Sequence, residues 1–156
     1  MKGNRSLAGE QDALTSLVLE VFRLNGALIA AGDDLVADLG LTSARWQVLG
    51  AIALAPAAET VARLARSMGL HRQGVQRIVN ELQAERIVVL EDNPHHRRAR
   101  LVRLTRKGEE LFQAADRRQR PWARRLARGL DARAFLSARD TIETLRRKLE
   151  LAARDG

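Results

Sequence analysis

The stretch from Thr60 to Gly108 constrains the fold most, because two short helix patterns run directly into a hairpin pattern and then a helix start. The first helix pattern ends at Gly69, a residue type that favours the left-handed position after a helix. The second runs from about Arg72 to Gln83. The short connection between them, which contains glycine, predicts a helix-turn-helix unit.

The second of these helix patterns has a polar face and an apolar, inward face with Val75, Ile78, Val79 and Leu82. Its outward side chains are Arg72, Gln73, Gln76, Arg77 and Asn80. Arginine can form two hydrogen bonds with guanine, and glutamine two with adenine, in the DNA major groove. The pattern therefore predicts a DNA-reading helix. Arg77 has a second interpretation, since Glu81 lies four residues further on and could pair with it.

A hairpin pattern follows, with apolar runs at residues 87–91 and Leu101–Leu104 on either side of a turn cluster at residues 92–94. Thr105 offers an N-cap for the next helix. From His95 to Lys107 the chain carries no acidic residue and six basic ones: Arg97, Arg98, Arg100, Arg103, Arg106 and Lys107. So basic a hairpin favours contact with phosphate, and the whole stretch predicts a winged helix-turn-helix.

Composition narrows the class of protein. At 156 residues the chain is long enough for one well-packed domain and short of what two usually need. Without cysteine it has no disulfide, no thiol nucleophile and no cysteine-ligated zinc. It also lacks a glycine-rich phosphate loop, a Gly-x-Ser-x-Gly motif and a His-Glu-x-x-His motif. We therefore expect no enzymatic activity, no cofactor and no metal site, although His71, His95 and His96 lie in or beside the winged unit.

The positive charge is concentrated in one block. The formal net charge is +8, and residues 95–133 contribute 13 basic and 4 acidic side chains, whereas residues 1–40 contribute 3 and 6. Such clustering favours a polyanionic partner, above all nucleic acid. No segment reaches the roughly 18 uninterrupted apolar residues of a membrane span, and the N-terminus leads into a polar stretch. We expect a cytoplasmic protein without membrane contact.

Amphipathic helix patterns flank the winged unit. The first covers about residues 11–31, and the C-terminal patterns cover about residues 107–152, where Pro121 predicts a kink or a restart and Asp131 an N-cap. A further helix begins after Thr42. Its predicted inward residues are Trp46, Leu49, Ala53 and Leu54.

The flanking helices carry more apolar surface than a small winged core can cover. The economical solution is a two-fold homodimer in which these helices interlock and the two reading helices address half-sites one helical turn apart. The predicted fold is mainly α with a small β-hairpin wing. It forms one domain over residues 1–156, with the winged unit at about 41–106 and a helical dimerisation region at about 11–31 and 107–152.

Several short motifs, in this order and with this spacing, resemble the MarR family of bacterial regulators across nearly the whole chain. They are Leu41-Thr42, Trp46 to Leu49, Leu64-Ala65, Gly69-Leu70, Val75 with Arg77 and Leu82, Asn93-Pro94 with Arg97-Arg98, and Leu104 to Gly108. Each motif is weak alone, but the ordered set is fairly specific.

The resemblance implies an obligate homodimer that binds pseudo-palindromic, double-stranded promoter DNA, usually as a repressor. Many such proteins release DNA when a small anionic or aromatic effector binds. The resemblance assigns DNA reading to Arg72, Gln73, Gln76 and Arg77 and places Arg98 of the wing in the minor groove, supported by Arg97 and Arg100 on phosphates. The candidates for effector binding are Arg45 and Trp46, with packing and surface as their alternative roles.

The chain departs from the family pattern at three positions in the DNA-reading unit. His96 replaces an acidic residue in the wing, so the wing is expected to be less fixed or differently held. Arg86 stands where a glycine usually follows the reading helix, so either a left-handed backbone there costs about 1 kcal/mol or the helix ends differently. His71 replaces the usual Asp or Ser, which weakens the cap of that helix by about as much.

Two functions of other classes remain open at this point. One is a winged-helix module that binds nucleic acid without sequence choice, and the other is a stand-alone carrier of a small molecule. A second arginine cluster has three alternative roles: contact with DNA flanks, an anion pocket, or a solvated helix face. Its members are Arg117, Arg118, Arg120, Arg124, Arg125 and Arg128.

Overall fold

The computed structural model describes residues 3–96 and 98–153, with side chains from Gly9 onward. The predicted class, mainly α with a small β-hairpin wing, is confirmed in these ranges. In chain order the elements are α1 (Gly3–Val36), a 3-10 turn (Ala37–Leu39), α2 (Ser43–Leu54), β1 (Glu59–Thr60), α3 (Val61–Met68), α4 (Arg72–Ala84), β2 (Val88–Glu91), β3 (Leu101–Leu104), α5 (Arg106–Leu126) and α6 (Ala132–Ala152).

The wing is an antiparallel sheet of three strands in the order β1-β3-β2. Val88 of β2 lies opposite Leu104 of β3, which fixes the register of the predicted hairpin. Glu59 of β1 lies opposite Val102 on the other side of β3. The sequence did not predict β1, because a strand of two residues is too short to show an alternating pattern.

The core lies between α2, α3, α4 and the sheet, and it is closed by the end of α1 and one residue of α5. Its buried apolar residues are Val36, Leu41, Val48, Leu49, Val61, Leu64, Ala65, Val75, Ile78, Val79, Leu82, Ile87, Val88, Val102 and Ala115. The inward face predicted for the reading helix is therefore confirmed at all four positions, Val75, Ile78, Val79 and Leu82.

The end of α1 caps the start of α2. Thr42 is the N-cap, as predicted, and its hydroxyl accepts a hydrogen bond from the backbone N–H of Arg45. Asp33 of α1 accepts a second one from the backbone N–H of Ser43 at 2.6 Å, which satisfies another free N–H group of the first turn. This close approach requires glycine at position 32, where a Cβ would lie 2.7 Å from Oγ of Ser43.

One of the predicted inward residues of α2 faces solvent instead. Leu49 is buried and Trp46 is half-buried, as expected, but Leu54 is 78% exposed. Neighbouring residues are about 100° apart around a helix, so a face built on Leu49 and Ala53 turns Leu54 away from the core.

Helix α1 is longer than predicted and leaves much apolar surface exposed. The exposed large side chains are Leu14, Val18, Leu19, Phe22, Leu24, Leu28 and Ile29. By length and composition alone, the segment Gly9–Leu39 also passes as a membrane-spanning helix, with a stretch of mean hydropathy 1.5 that is not buried. The expectation of no membrane contact rested on uninterrupted apolar runs and did not weigh this average.

The contacts divide the chain into two units, with the boundary between Gln119 and Arg120 inside α5. The second unit contains the end of α5 and α6. As predicted, Asp131 caps α6 and accepts a hydrogen bond from the backbone N–H of Arg133. Helix α5 neither ends nor restarts at Pro121. Exposed large apolar residues of the second unit are Leu126, Leu130, Phe135, Leu136, Ile142, Leu149 and Leu151.

Candidate nucleic-acid interface

The helix-turn-helix is formed by α3, a tight turn and α4. Thr60 is the N-cap of α3, and its hydroxyl accepts from the backbone N–H of Arg63. Gly69 ends α3 with φ of +65°, and the N–H of Leu70 bonds the carbonyl of Ala65 at 2.9 Å. This arrangement is the glycine-terminated helix end expected from the sequence, and it turns the chain directly into α4.

The start of α4 has no side-chain cap. His71 occupies the N-cap position and makes no capping hydrogen bond, as the sequence predicted for this departure. Arg72 and Gln73 follow in the first turn, both exposed. Within the described part of the chain, neither side chain makes a hydrogen bond or an ion pair, so both are available to a partner.

The next two outward residues are bonded along the same helix. Nε2 of Gln76 donates to Oδ1 of Asn80 at 2.9 Å. Nη1 of Arg77 lies 3.1 Å from Oε1 of Glu81, which is the alternative partner considered from the sequence. This ion pair is exposed and therefore weak. The first and second turns of the outward face thus differ in how much their side chains are held.

The end of α4 is fixed by a joint formed by Glu85, Arg86 and Ile87 with Thr105, Lys107 and Gly108. Arg86 has φ of +58°, so of the two alternatives at this departure the left-handed backbone is the one present, without glycine. The N–H of Ile87 bonds the carbonyl of Leu82 at 2.8 Å, as in a glycine-terminated helix end.

In this joint, side chains at the start of α5 hold the carbonyls that follow α4. The Thr105 hydroxyl donates to the carbonyl of Arg86 at 2.8 Å, and Nζ of Lys107 donates to that of Glu85 at 2.9 Å. The Thr105 hydroxyl also accepts from the N–H of Gly108, which confirms the predicted cap of α5. A Cβ at Gly108 would lie 2.2 Å from the carbonyl oxygen of Ile87.

Arg45 of α2 reaches the same joint. Its Nη2 lies 2.7 Å from Oε2 of Glu85, and its Nη1 donates to the carbonyl of Gly40 at 3.2 Å. The contact with Glu85 is a charge contact rather than an aligned hydrogen bond, and the buried Nε of Arg45 has no hydrogen-bond partner among the described residues. The neighbouring candidate, Trp46, packs half-buried against the core.

The wing tip is organised by Asn93. Its Nδ2 donates to the carbonyl of Ala99 at 2.9 Å, and its Oδ1 accepts from the backbone N–H of His95 at 3.0 Å. The backbone N–H of His96 bonds the carbonyl of Asn93. The tip is therefore held by Asn93, with histidine and no acidic residue at position 96.

The three predicted wing arginines have different environments. Arg98 is exposed at the tip and makes no hydrogen bond or ion pair with any described residue. Arg100 is directed to the wing itself, since it donates to the carbonyl of Leu90 at 2.5 Å and lies 3.8 Å from Asp92. Arg97 lies outside the described residues.

The second arginine cluster is not uniform. Arg118 donates to Asp38 of the 3-10 turn at 2.5 Å and to the carbonyl of Ala114, so this member is part of the first unit's structure. Arg117, Arg124, Arg125 and Arg128 are exposed. In the ranges that the structure describes, no group of three or more His, Asp or Glu side chains could hold a metal ion.

Sequence reasoning missed the joint at the end of α4. It treated residues 104–108 as a family motif and Thr105 as a helix cap, but their second role is to hold the carbonyls of residues 85–87. The sequence did contain a signal for this contact, namely Gly108 three residues after Thr105. A threonine that only caps a helix does not need a glycine at that position. That glycine indicates a close backbone contact.

Comparison with known proteins agrees with this geometry. A model described as MarR family matches residues 39–99. The uncharacterized protein Rv2011c of Mycobacterium tuberculosis is 37% identical over 134 residues, which are 86% of this chain and 92% of that protein. The crystal structure of the MarR family transcription regulator SP03579 has a TM-score of 0.77 at 22% identity, over 97% of this chain and 99% of its own.

A further solved structure is CouR from Rhodococcus jostii RHA1 bound to p-coumaroyl-CoA. It has a TM-score of 0.72 at 24% identity and covers 80% of this chain and 87% of its own. At these identities the solved structures show a shared fold. The fold and the site define a winged-helix, DNA-binding transcriptional regulator. The chain belongs to the MarR family, whose members are transcriptional regulators and not enzymes.

Proposed function

We propose that this protein is a cytoplasmic, homodimeric repressor that binds a pseudo-palindromic DNA operator and releases it when a small anionic or aromatic effector binds. The observation that carries the proposal is the outward face of α4. In its first turn, where a reading helix meets base edges in the major groove, Arg72 and Gln73 have no hydrogen-bond or ion-pair partner among the described residues. Gln76 and Arg77 continue the same face.

The wing adds a second contact in this proposal. Arg98 at the exposed tip enters the minor groove, whose negative potential attracts arginine without a base-specific hydrogen bond. Arg97 and Arg100 support it on phosphates. Because Arg100 already bonds the carbonyl of Leu90, its larger contribution is to hold the wing in position.

The DNA proposal is tested by fluorescence anisotropy. Duplexes from the promoter of its own or a neighbouring gene are compared with random duplex at about 50 and about 200 mM salt. We expect the promoter to bind at least about 1,000-fold more tightly than random duplex. Equal affinities would favour the non-specific nucleic-acid module. Tight binding of a small molecule without DNA affinity would favour the carrier.

The homodimer is supported by the exposed apolar surface of α1. Val18 and Phe22 are one turn apart, and the Phe22 side chain is 69% exposed. Fully burying a phenylalanine contributes about 1.5–3 kcal/mol, so burial of Phe22 and the other exposed apolar side chains of α1 would favour a dimer. We propose that residues 1–156 work as a single MarR-like domain, with dimerisation helices at about 11–31 and 107–152 and the winged unit at about 41–106.

Sedimentation equilibrium of Phe22→Asp tests the interface. Since the aspartate would be buried unpaired, we expect the dimer dissociation constant to rise at least about 10-fold. The control is Leu54→Asp, which changes a leucine of similar exposure away from α1 and should leave the dimer intact. An undisturbed dimer in Phe22→Asp, or wild-type protein that floats with lipid vesicles, would contradict this role of α1.

An anionic effector would find a donor in Arg45. Its buried Nε has no hydrogen-bond partner among the described residues, and its Nη2 contacts Glu85 at the end of the reading helix. A carboxylate that binds Arg45 would compete with Glu85 and loosen that end of α4. CouR, which binds p-coumaroyl-CoA, shows an aromatic ligand on the same fold. A thermal-shift screen of small aromatic acids tests this: Arg45→Ala should abolish the shift caused by any hit.

A further inference from the structure

The four predicted reading residues of α4 are not equivalent in the structure. Arg72 and Gln73 have no side-chain partner among the described residues, whereas Gln76 and Arg77 are each bonded to a residue one turn further on. A side chain that is already held presents a fixed set of hydrogen-bonding atoms. The chemistry of that set decides which base it can recognise.

The bond between Gln76 and Asn80 leaves a specific set of hydrogen-bonding atoms on the Gln76 amide. It occupies one hydrogen of the Gln76 Nε2 group and none of its Oε1 oxygen. One N–H of Nε2 and the Oε1 oxygen of the same amide group therefore remain available side by side. Adenine presents the complement in the major groove, with N7 as acceptor and the N6 amino group as donor. Guanine presents two acceptors there, so the Gln76 oxygen would face another oxygen or nitrogen.

We propose that Asn80 is a positioning residue that holds the Gln76 amide ready to recognise adenine at one base pair of each operator half-site. This rests on the proposed function, because it presupposes that α4 enters the major groove. A free glutamine loses rotational freedom when it binds a base, and a glutamine held by Asn80 loses less. Asn80 thus sharpens the choice of base without touching the base that Gln76 reads.

The neighbouring pair provides a matched control. Arg77 and Glu81 have the same spacing on the same helix, four residues apart. Arginine has only donors, however, so holding it with Glu81 creates no donor-and-acceptor set for adenine. Replacing Glu81 should therefore leave recognition of adenine unchanged.

The experiment is selection of bound sequences from a random duplex library, followed by sequencing, with wild-type protein and four variants. The variants are Gln76→Ala, Asn80→Ala, Asn80→Asp and Glu81→Gln. The wild type should enrich one motif with adenine at a fixed position of each half-site. In Gln76→Ala, preference for adenine at that position alone should fall about 10-fold, and the rest of the motif should persist.

The Asn80 variants separate positioning from structure. Asn80→Ala should reduce the adenine preference about 3-fold, an intermediate effect, with an unchanged melting temperature because Asn80 is exposed. Asn80→Asp should restore the adenine preference, since the carboxylate accepts a hydrogen bond from the same Nε2 group. Overall affinity should fall, because the carboxylate is repelled by phosphate. Glu81→Gln should match the wild type.

The outcomes distinguish a failure of the roles proposed for Gln76 and Asn80 from a failure of the proposed function. A motif that contains no adenine position dependent on Gln76 would overturn the reading of adenine while leaving the proposed function intact. An Asn80→Ala profile identical to wild type would overturn the positioning role of Asn80. If the wild type enriches no motif, sequence-specific binding itself is wrong.

Discussion

The two ends of the reading helix are built in opposite ways. At its start, His71 provides no cap, and the side chains of Arg72 and Gln73 make no hydrogen bond or ion pair with described residues. At its end, the carbonyls of Glu85 and Arg86 are held by side chains at the start of α5, and the Glu85 carboxylate lies against Arg45. The difference shows that the end proposed to meet DNA is left free, and the far end is fixed to the rest of the unit.

The largest expected effect is on the fixed end. Gly108→Ala would place a Cβ 2.2 Å from the Ile87 carbonyl oxygen, so the start of α5 must move away from the joint. We expect the free energy of unfolding to fall by about 3 kcal/mol, measured by urea denaturation. The control is Gly74→Ala in α4, where no described atom outside the local helix backbone lies within 4 Å of the added methyl group.

Gly74→Ala should leave stability unchanged or raise it by up to about 1 kcal/mol, since alanine favours helix. If the two substitutions had equal effects on the unfolding free energy, the close contact of Gly108 with Ile87 would not hold the joint.

At the free end, Arg72→Ala should weaken specific DNA binding by about 1–3 kcal/mol with no change in stability. The reason is that the exposed Arg72 side chain makes no hydrogen bond or ion pair with described residues that the substitution would remove. Anisotropy titration and thermal melting measure the two quantities. Arg63→Ala is the control, because Arg63 of α3 is an exposed arginine already paired with Glu59. Loss of stability in Arg72→Ala would show that this end is structural as well.

Arg86→Gly should stabilise the fixed end by about 1 kcal/mol, because glycine adopts a φ of +58° without strain. The matched control is Arg86→Ala, which removes the same side chain and keeps a Cβ. Only the glycine variant should shift the urea midpoint upward. Equal shifts would assign the effect to the arginine side chain and not to the backbone.

The smallest effect is expected from capping the free end. His71→Ser supplies the missing acceptor for the first turn of α4 and should raise stability by about 0.5–1 kcal/mol. His71→Ala should give no such gain. If the serine variant were no more stable than the alanine variant in urea denaturation, the N-terminus of α4 would already be satisfied in another way.

The local structure at the helix ends was predictable from the sequence. Thr42, Gly69, Thr105 and Asp131 mark helix ends by their own chemistry, and the structure confirms each one. The missing cap at His71 was predicted for the same reason, and the left-handed Arg86 is one of the two alternatives that the sequence left open. Each feature depends on one residue and its immediate neighbours along the chain.

The contacts between distant segments were not predictable. The joint brings residues 85–87 against residues 105–108, and Asp33 caps α2 from the end of α1. Both depend on how elements far apart in sequence pack together. The exposure of Leu54 was missed for a related reason, because the periodicity of one helix does not determine the edge of the face that its neighbours cover.

The central claim is that the free end of α4 selects the DNA sequence and the fixed end does not. The most direct measurement is the ratio of operator affinity to random-duplex affinity for the double variant Arg72→Ala/Gln73→Ala, compared with Arg86→Ala. We predict that the ratio falls at least about 10-fold in the double variant, at an unchanged melting temperature, and stays at the wild-type value in Arg86→Ala. An unchanged ratio in the double variant would contradict the claim.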